Sequence, residues 1–379
     1  MKKEKSVKIS KLGKVGLVVA VSASLAIPTF TTASAASKFE TAKSASEAGG
    51  MAALRGQCRK EGQLNIIATP GDWANYQEIF DGYTAKYGVK IDSQNPEGSS
   101  QDEINAADAQ KGTKRSPDVF DIGASTAAKY LTTHFAPYKV QNWDKIPSNL
   151  KDPNGYVTNN YTGVMTIGYD GTLPEIKSLN DLTKAAYKGK VALNGDPNGS
   201  NAGLSGVFMA ALENGGSFDN VKPGVDYFKK LKDAGTFINV NPTAATIASG
   251  QTPVVFDWSY NNKTVQSKFA AIGKSWKIFS PKSAVGGYYN AAISAWAPHP
   301  ACARLWMEYL YTTAGQNAWA KGGASPVLWA QLLKTNLASV EGKATIGTGR
   351  VSAASPSTAQ AVKAREYLAT AWAAAVGAK

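Results

Sequence analysis

The chain has 379 residues, 41 of them basic and 28 acidic, for a formal net charge of +13, with only two cysteines. That length holds two domains of ordinary size, and two cysteines exclude a disulfide scaffold. Without arginine-rich runs or interleaved stacking aromatics, the positive balance does not describe a nucleic-acid binder.

Six lysines (Lys2, Lys3, Lys5, Lys8, Lys11 and Lys14) precede an apolar run over residues 17–27 and the small residues Ala33, Ser34 and Ala35. This is the order of a secretory signal peptide, expected over residues 1–35. The apolar run is too short for a bilayer, which takes roughly 20 residues. Cleavage removes those lysines and Glu4, leaving about +8. No lipobox cysteine follows, so the mature chain is expected to be soluble, periplasmic or secreted. Residues 36–50 are small and polar and read as a mobile leader.

Residues 51–60 suit a helix, 63–68 a buried strand ending at Thr69-Pro70-Gly71, 73–87 a helix and 89–91 a strand. Ser99 or Ser100 caps a helix over 101–110, and 118–122 form a third strand. Alternating strands and helices point to a parallel sheet covered by helices. Residues 156–160 and 163–169 are strand-like, 178–182 start a helix, and 190–193 form a strand feeding a Gly-rich turn over 194–203. Helices over 204–212 and 221–234, a helical turn over 243–249 and a strand over 253–256 complete a second α/β unit. A strand over 288–297 returns to the first, and the chain from Pro300 is mainly helical. Cys58 and Cys302 either pair across a long loop or stay two buried thiols.

Four segments in register resemble the type II solute-binding proteins of ATP-binding-cassette importers, in their polyamine and ferric-ion branch: EGQLNIIATPGDWANYQEIFDGYTAKYG (61–88), SPDVFDIGAS (116–125), SLNDLTKAAYKGKVAL (178–193) and WAPHPACARLWMEYLYTTAGQNAWAKGGASPV (296–327). The resemblance implies a two-domain α/β periplasmic-binding-protein type II fold, with lobe 1 over 51–165 and 285–345, lobe 2 over 166–284, two crossover strands and a C-terminal helical segment over 346–379. It also implies a solute held in the cleft between the lobes, a membrane permease as partner, and a monomer without cofactor or metal.

Loops at the carboxyl ends of parallel strands are where open sheets bind ligands. The expected ligand residues are therefore Asp72, Trp73, Ser125, Asp196, Ser200, Asn201, Asp257, Trp258 and Tyr260, with Tyr288, Tyr289 and Asn290 on the returning strand. Carboxylates beside indole and phenol rings suit an amine, because a buried cation needs acidic partners and gains from an aromatic face. Asn290, where an acidic residue would suit a polyamine better, counts against spermidine or putrescine. The backbone amides of the 196–203 turn suit a phosphate or phosphonate, so a zwitterion is the alternative solute. Ferric iron is disfavoured because the ferric members of the family place adjacent tyrosines near 257–260, where this chain has Tyr260 alone. His134 and His299 read as loop residues, His299 opening a helix. No Gly-x-Ser-x-Gly elbow or zinc spacing supports catalysis, which leaves glycoside hydrolysis by carboxylates such as Asp72 and Asp257 as the remaining enzymatic alternative.

Overall fold

The computed structural model describes residues 37–349 and 353–377; the expected signal peptide lies outside them. Helices α1 (Lys38–Thr41) and α2 (Gly50–Glu61) lead into β1 (Gln63–Ile67), α3 (Tyr76–Tyr87), β2 (Lys90–Gln94), α4 (Ser100–Gln110), β3 (Val119–Gly123), α5 (Ala124–His134) and β4 (Phe135–Ala136). The long β5 (Thr158–Asp170) opens the next run, followed by β6 (Val191–Leu193), α6 (Asn201–Glu213), α7 (Lys222–Asp233), α8 (Ala244–Ala248), β7 (Val254–Trp258), α9 (Ser259–Ala271) and β8 (Trp276–Phe279). The chain returns through β9 (Gly286–Ser294) and closes with α10 (Pro300–Leu310), α11 (Thr313–Lys321), β10 (Ser325–Pro326), α12 (Trp329–Lys334), α13 (Val340–Ile346) and α14 (Thr358–Val376).

The strands form one sheet in the order β2-β1-β3-β9-β5-β7-β6, with β4, β8 and β10 paired to its sides. β1, β2 and β3 are parallel at one end, and β6 and β7 at the other. β9 runs antiparallel to β3 and β5 between them. β5 pairs with β9 up to Val164 and with β7 from Met165, so a single strand changes partners in its middle. The α/β expectation therefore holds, with the carboxyl ends of both parallel sets facing one cleft.

Local chemistry explains most boundaries. Ser99 caps α4 through a reciprocal capping box with Asp102, satisfying helix amides that have no intrahelical partner. α2 and α3 stop at Gly62 and Gly88, whose φ values of +75° and +69° suit a residue without Cβ.

Several expectations need correction. Residues 37–50 are not a mobile leader. Ala42, Ala45 and Ala48 are buried in the main core, and Arg304 donates to the carbonyls of Glu40 and Ala42. The helix expected over 73–87 breaks at Ala74 and Asn75, both with positive φ, where Gly322 packs against the Ala74 backbone and the Asn75 Cβ. The two strands expected between 156 and 169 are one strand, with an irregularity between Asn159 and Thr162. Residues 178–182 turn as a 3-10 helix. His134 ends α5 instead of lying in a loop, 3.0 Å from Asp108, whereas His299 does open α10 as expected, bonding Asp118 at 2.8 Å. Helices α5 and α9 were not expected. Of the two alternatives for the cysteines, the disulfide Cys58–Cys302 is the one present, joining α2 to α10.

Candidate functional site

The carboxyl ends of β1, β2, β3, β6 and β7 deliver their loops and helix starts to a cleft of about 200 Å³. One wall comes from the β1 loop (Asp72, Trp73), the β2–α4 loop (Glu97, Ser99, Ser100) and Glu103 of α4. The other comes from the α6 start (Ser200, Asn201), the α8 start (Thr243) and the α9 face carrying Asn261 and Lys268. Asp121 of β3, Asp257 of β7 and Tyr289 of β9 make the floor. The two sides meet where Gly123 faces Asn201: a Cβ at Gly123 would lie 2.6 Å from that of Asn201, so only glycine allows the approach.

The cleft is acidic. Five carboxylates line it (Asp72, Glu97, Glu103, Asp121, Asp257) against one cation, Lys268, which is already tied to Asp72 at 2.8 Å. Asp257 is buried and accepts from the Trp258 amide at 2.6 Å and from Asn261 Nδ2 at 3.1 Å. Burial nevertheless pushes its carboxyl up to about 6. Asp121 accepts from Asn160 Nδ2 and the Tyr161 hydroxyl, both at 2.6 Å, and burial raises it to about 6 as well. Glu103 accepts from the Asp121 amide at 3.1 Å; burial, reinforced by the Asp121 charge, lifts its carboxyl well above the ordinary range. Glu97 is raised by burial and then by Asp72. For the three buried carboxyls, Glu103, Asp121 and Asp257, the cause is the same: a carboxylate removed from water without a cation beside it.

The aromatic wall is preorganised. Trp73 donates from Nε1 to the Tyr161 hydroxyl at 2.7 Å and meets Tyr260 and Tyr289 edge-on, with ring centroids 5.7 and 5.6 Å away. Tyr161 and Tyr289 stack at 5.8 Å. Such pairs fix ring position through quadrupole geometry as well as area.

Of the expected ligand residues, Asp72, Trp73, Ser200, Asn201, Asp257 and Tyr289 line the cleft together. The other six stand apart from its lining. Trp258 and Tyr260 lie fully buried behind Tyr289, within ring contact of it or of each other. Asn290 donates to the Ile122 carbonyl within the sheet, and Asp196 closes the β6–α6 turn by accepting from Asn198. Ser125, buried in the first turn of α5, accepts from Arg365 of α14. Tyr288 is half-buried on β9, facing away from its neighbour Tyr289 as alternation along a strand requires. Polar and charged lining residues not anticipated include Glu97, Glu103, Asp121, Asn241, Thr243, Asn261, Thr264 and Lys268.

Residues 116–344 match a family model described as bacterial extracellular solute-binding protein. Solved structures of similar fold include the periplasmic binding protein AfuA from Actinobacillus pleuropneumoniae with fructose-6-phosphate bound (19% identity, TM-score 0.59, covering 84% of this chain and 99% of that one). Iron-bound HitA from Pseudomonas aeruginosa aligns with 16% identity and a TM-score of 0.56, over 81% of this chain and 97% of its own. A Listeria monocytogenes protein named as a candidate spermidine/putrescine ABC transporter aligns with 14% identity and a TM-score of 0.56, over 76% and 89%. The mixed α/β fold is that of type II periplasmic binding proteins.

Proposed function

Because the chain belongs to the bacterial extracellular solute-binding proteins, we propose that it captures a small amine-containing organic cation in this cleft and hands it to the permease of an ATP-binding-cassette importer. The observation that carries the reading is the charge imbalance of the lining: five carboxylates, two of them buried on the floor, against a single lysine already paired. A cation seated between Asp121 and Asp257 would supply the partner that buried carboxylates need. Trp73 and Tyr289 offer ring surface to its alkyl or ammonium part, an interaction worth about 0.5–2 kcal/mol depending on desolvation. The cleft volume of about 200 Å³ lies below the roughly 300–1,000 Å³ of drug-sized pockets, which favours a small solute.

Capture uses closure of two lobes, residues 51–165 with 285–345 and residues 166–284. The change of β5 partners between Val164 and Met165 supports that boundary, with β5 and β9 as the crossovers. A zwitterion with a phosphate or phosphonate end is the second reading, favoured by the starts of α4 and α6 in the same lining. It is the weaker one, since the Ser99 and Ser200 hydroxyls already cap their own helices. Ferric iron has less support still. Tyr289 is the one phenol in the lining, and burial, together with Asp121 and Asp257, raises its proton affinity instead of easing ionisation.

The test is a thermal-shift panel of polyamines, thiamine-like amines, phosphonates and ferric salts. A solute at 100 times its Kd adds about 2.7 kcal/mol of stability. The amine reading expects upward shifts from amines alone; shifts confined to phosphonates or ferric salts would replace it.

A further inference from the structure

The C-terminal segment follows a path across the cleft loops. Ala354 pairs beside Val285, and its carbonyl accepts from the Gly286 amide at 2.9 Å, where the β9 crossover begins. Ser357 then starts α14 with a capping box closed by Gln360. One face of α14, carrying Ala361, Ala364, Leu368, Trp372 and Val376, is buried, and the helix packs on both α7 and α5. Trp372 seats its ring 5.2 Å from Phe228 and 6.1 Å from Phe237, and Gln360 donates to Asp219, so the helix is anchored on the β6–β7 side. From that anchorage Arg365 reaches out with two donors. Its Nε bonds Ser125 Oγ at 2.8 Å, on the helix that follows β3, and its Nη1 bonds the Asn198 carbonyl, in the turn that follows β6. These are the two loops that meet at Gly123 and Asn201. The helix lies beyond the family-matched stretch, which ends at residue 344.

We propose that α14 is a strap and Arg365 its latch, a positioning residue that holds the β3–α5 and β6–α6 loops together and sets how much of the protein stands closed before any solute binds. A planar guanidinium bonded to both sides of a closing cleft stabilises the closed arrangement only, because opening separates its two acceptors. Loss of one charge-assisted bond should shift the open-to-closed ratio by about ten- to a hundredfold. The proposal rests on capture between these loops, but not on which solute is captured.

Small-angle X-ray scattering of the full-length mature protein without solute tests it. Arg365→Met and Ser125→Ala should both raise the radius of gyration above that of the wild type; Ser125→Ala removes the acceptor on one side while leaving α14 and its core contacts intact, and so covers a failure of the arginine variant to fold. Thr370→Ala, which removes an exposed hydroxyl that bonds the Tyr367 carbonyl of the same helix and leaves the cap, the anchorage and the latch in place, should scatter like the wild type. An unchanged radius in Ser125→Ala, or an equal rise in Thr370→Ala, overturns the latch. Because no solute is present, either result is independent of the outcome of the solute panel.

Discussion

Two regions of the molecule bury charged side chains, and they treat them differently. Around the α2–α10 contact every such group has a partner from the chain. Arg304 donates to the carbonyls of Glu40, Ala42 and Pro300; Glu61 accepts from the amides of Ala301 and Cys302; Glu308 accepts from the Tyr138 hydroxyl and the Gln141 amide; Asp118 faces His299. In the cleft, Asp121 and Asp257, like Glu61 and Glu308, accept neutral hydrogen bonds and have no cation beside them, but they line a cavity a solute can enter, and Asn261 Oδ1 finds no partner among the described residues. The first arrangement is closed off within the fold. The second faces open space, where the proposed solute would contribute the missing charge.

The contrast is tested most strongly at the disulfide. Replacing Cys58 and Cys302 together by serine releases a cross-link between residues 244 apart in sequence. We expect a loss of about 4 kcal/mol, read as the urea unfolding free energy, because a closure of that length removes much entropy from the unfolded chain. A loss below about 1 kcal/mol would show that α2 and α10 hold together by packing alone.

Asp257→Asn should act with the opposite sign. The carboxyl of Asp257 rises from the ordinary 3.8 to about 6 on folding. Between those pH values the folded protein holds more protons than the unfolded one, so stability falls as pH rises and the cost is fully present above pH 6. Removing the charge should stabilise the solute-free protein at pH 7 by roughly 1–3 kcal/mol in thermal unfolding while abolishing amine binding. A variant both less stable and still competent to bind would make Asp257 a structural acid like Glu61.

The same titration predicts a pH dependence of capture. Asp121 and Asp257 both protonate near 6, and a neutral carboxyl does not attract a cation. Affinity for an amine should therefore fall between pH 7 and pH 5, by about tenfold per pH unit for each proton taken up below the pKa. Titration calorimetry of the tightest-binding amine at both pH values measures it. A flat profile would mean that the floor carboxyls do not contact the cation.

The parallel strands and their carboxyl-end loops were legible in the sequence because strand burial and turn chemistry are local signals. Those loops did bring Asp72, Trp73, Ser200, Asn201, Asp257 and Tyr289 to one cleft. Asp121 was hidden because it lies inside the apolar run VFDIG and acts through Asn160 and Tyr161, some 40 positions away. Glu103 and Lys268 sit on helices where a charged residue ordinarily faces solvent. Helix α9, with the sequence SYNNKTVQSKFAA, has no apolar stripe strong enough to announce it. Residues 37–50 misled for a related reason: the alanines read as lacking an apolar face, yet their small side chains let that segment lie close against α10. Arg365 was beyond reach altogether, since both its partners come from elements more than 160 residues earlier.

The smallest expected effect concerns Lys268, the one cleft cation. Its bond to Asp72 spans the mouth between the β1 loop and α9, and both side chains keep substantial exposure, 56% and 37%. A pair this open is screened by water and salt and is worth at most about 1 kcal/mol, so Lys268→Met should leave the melting temperature nearly unchanged. Its effect on binding should be easier to see. With the ammonium gone, Asp72 loses an internal competitor and the cleft loses a charge that repels an incoming amine, so affinity should rise by a few-fold, most clearly at low salt where screening is weakest. A fall in affinity would instead place Lys268 against an anionic part of the solute and move the assignment toward a zwitterion.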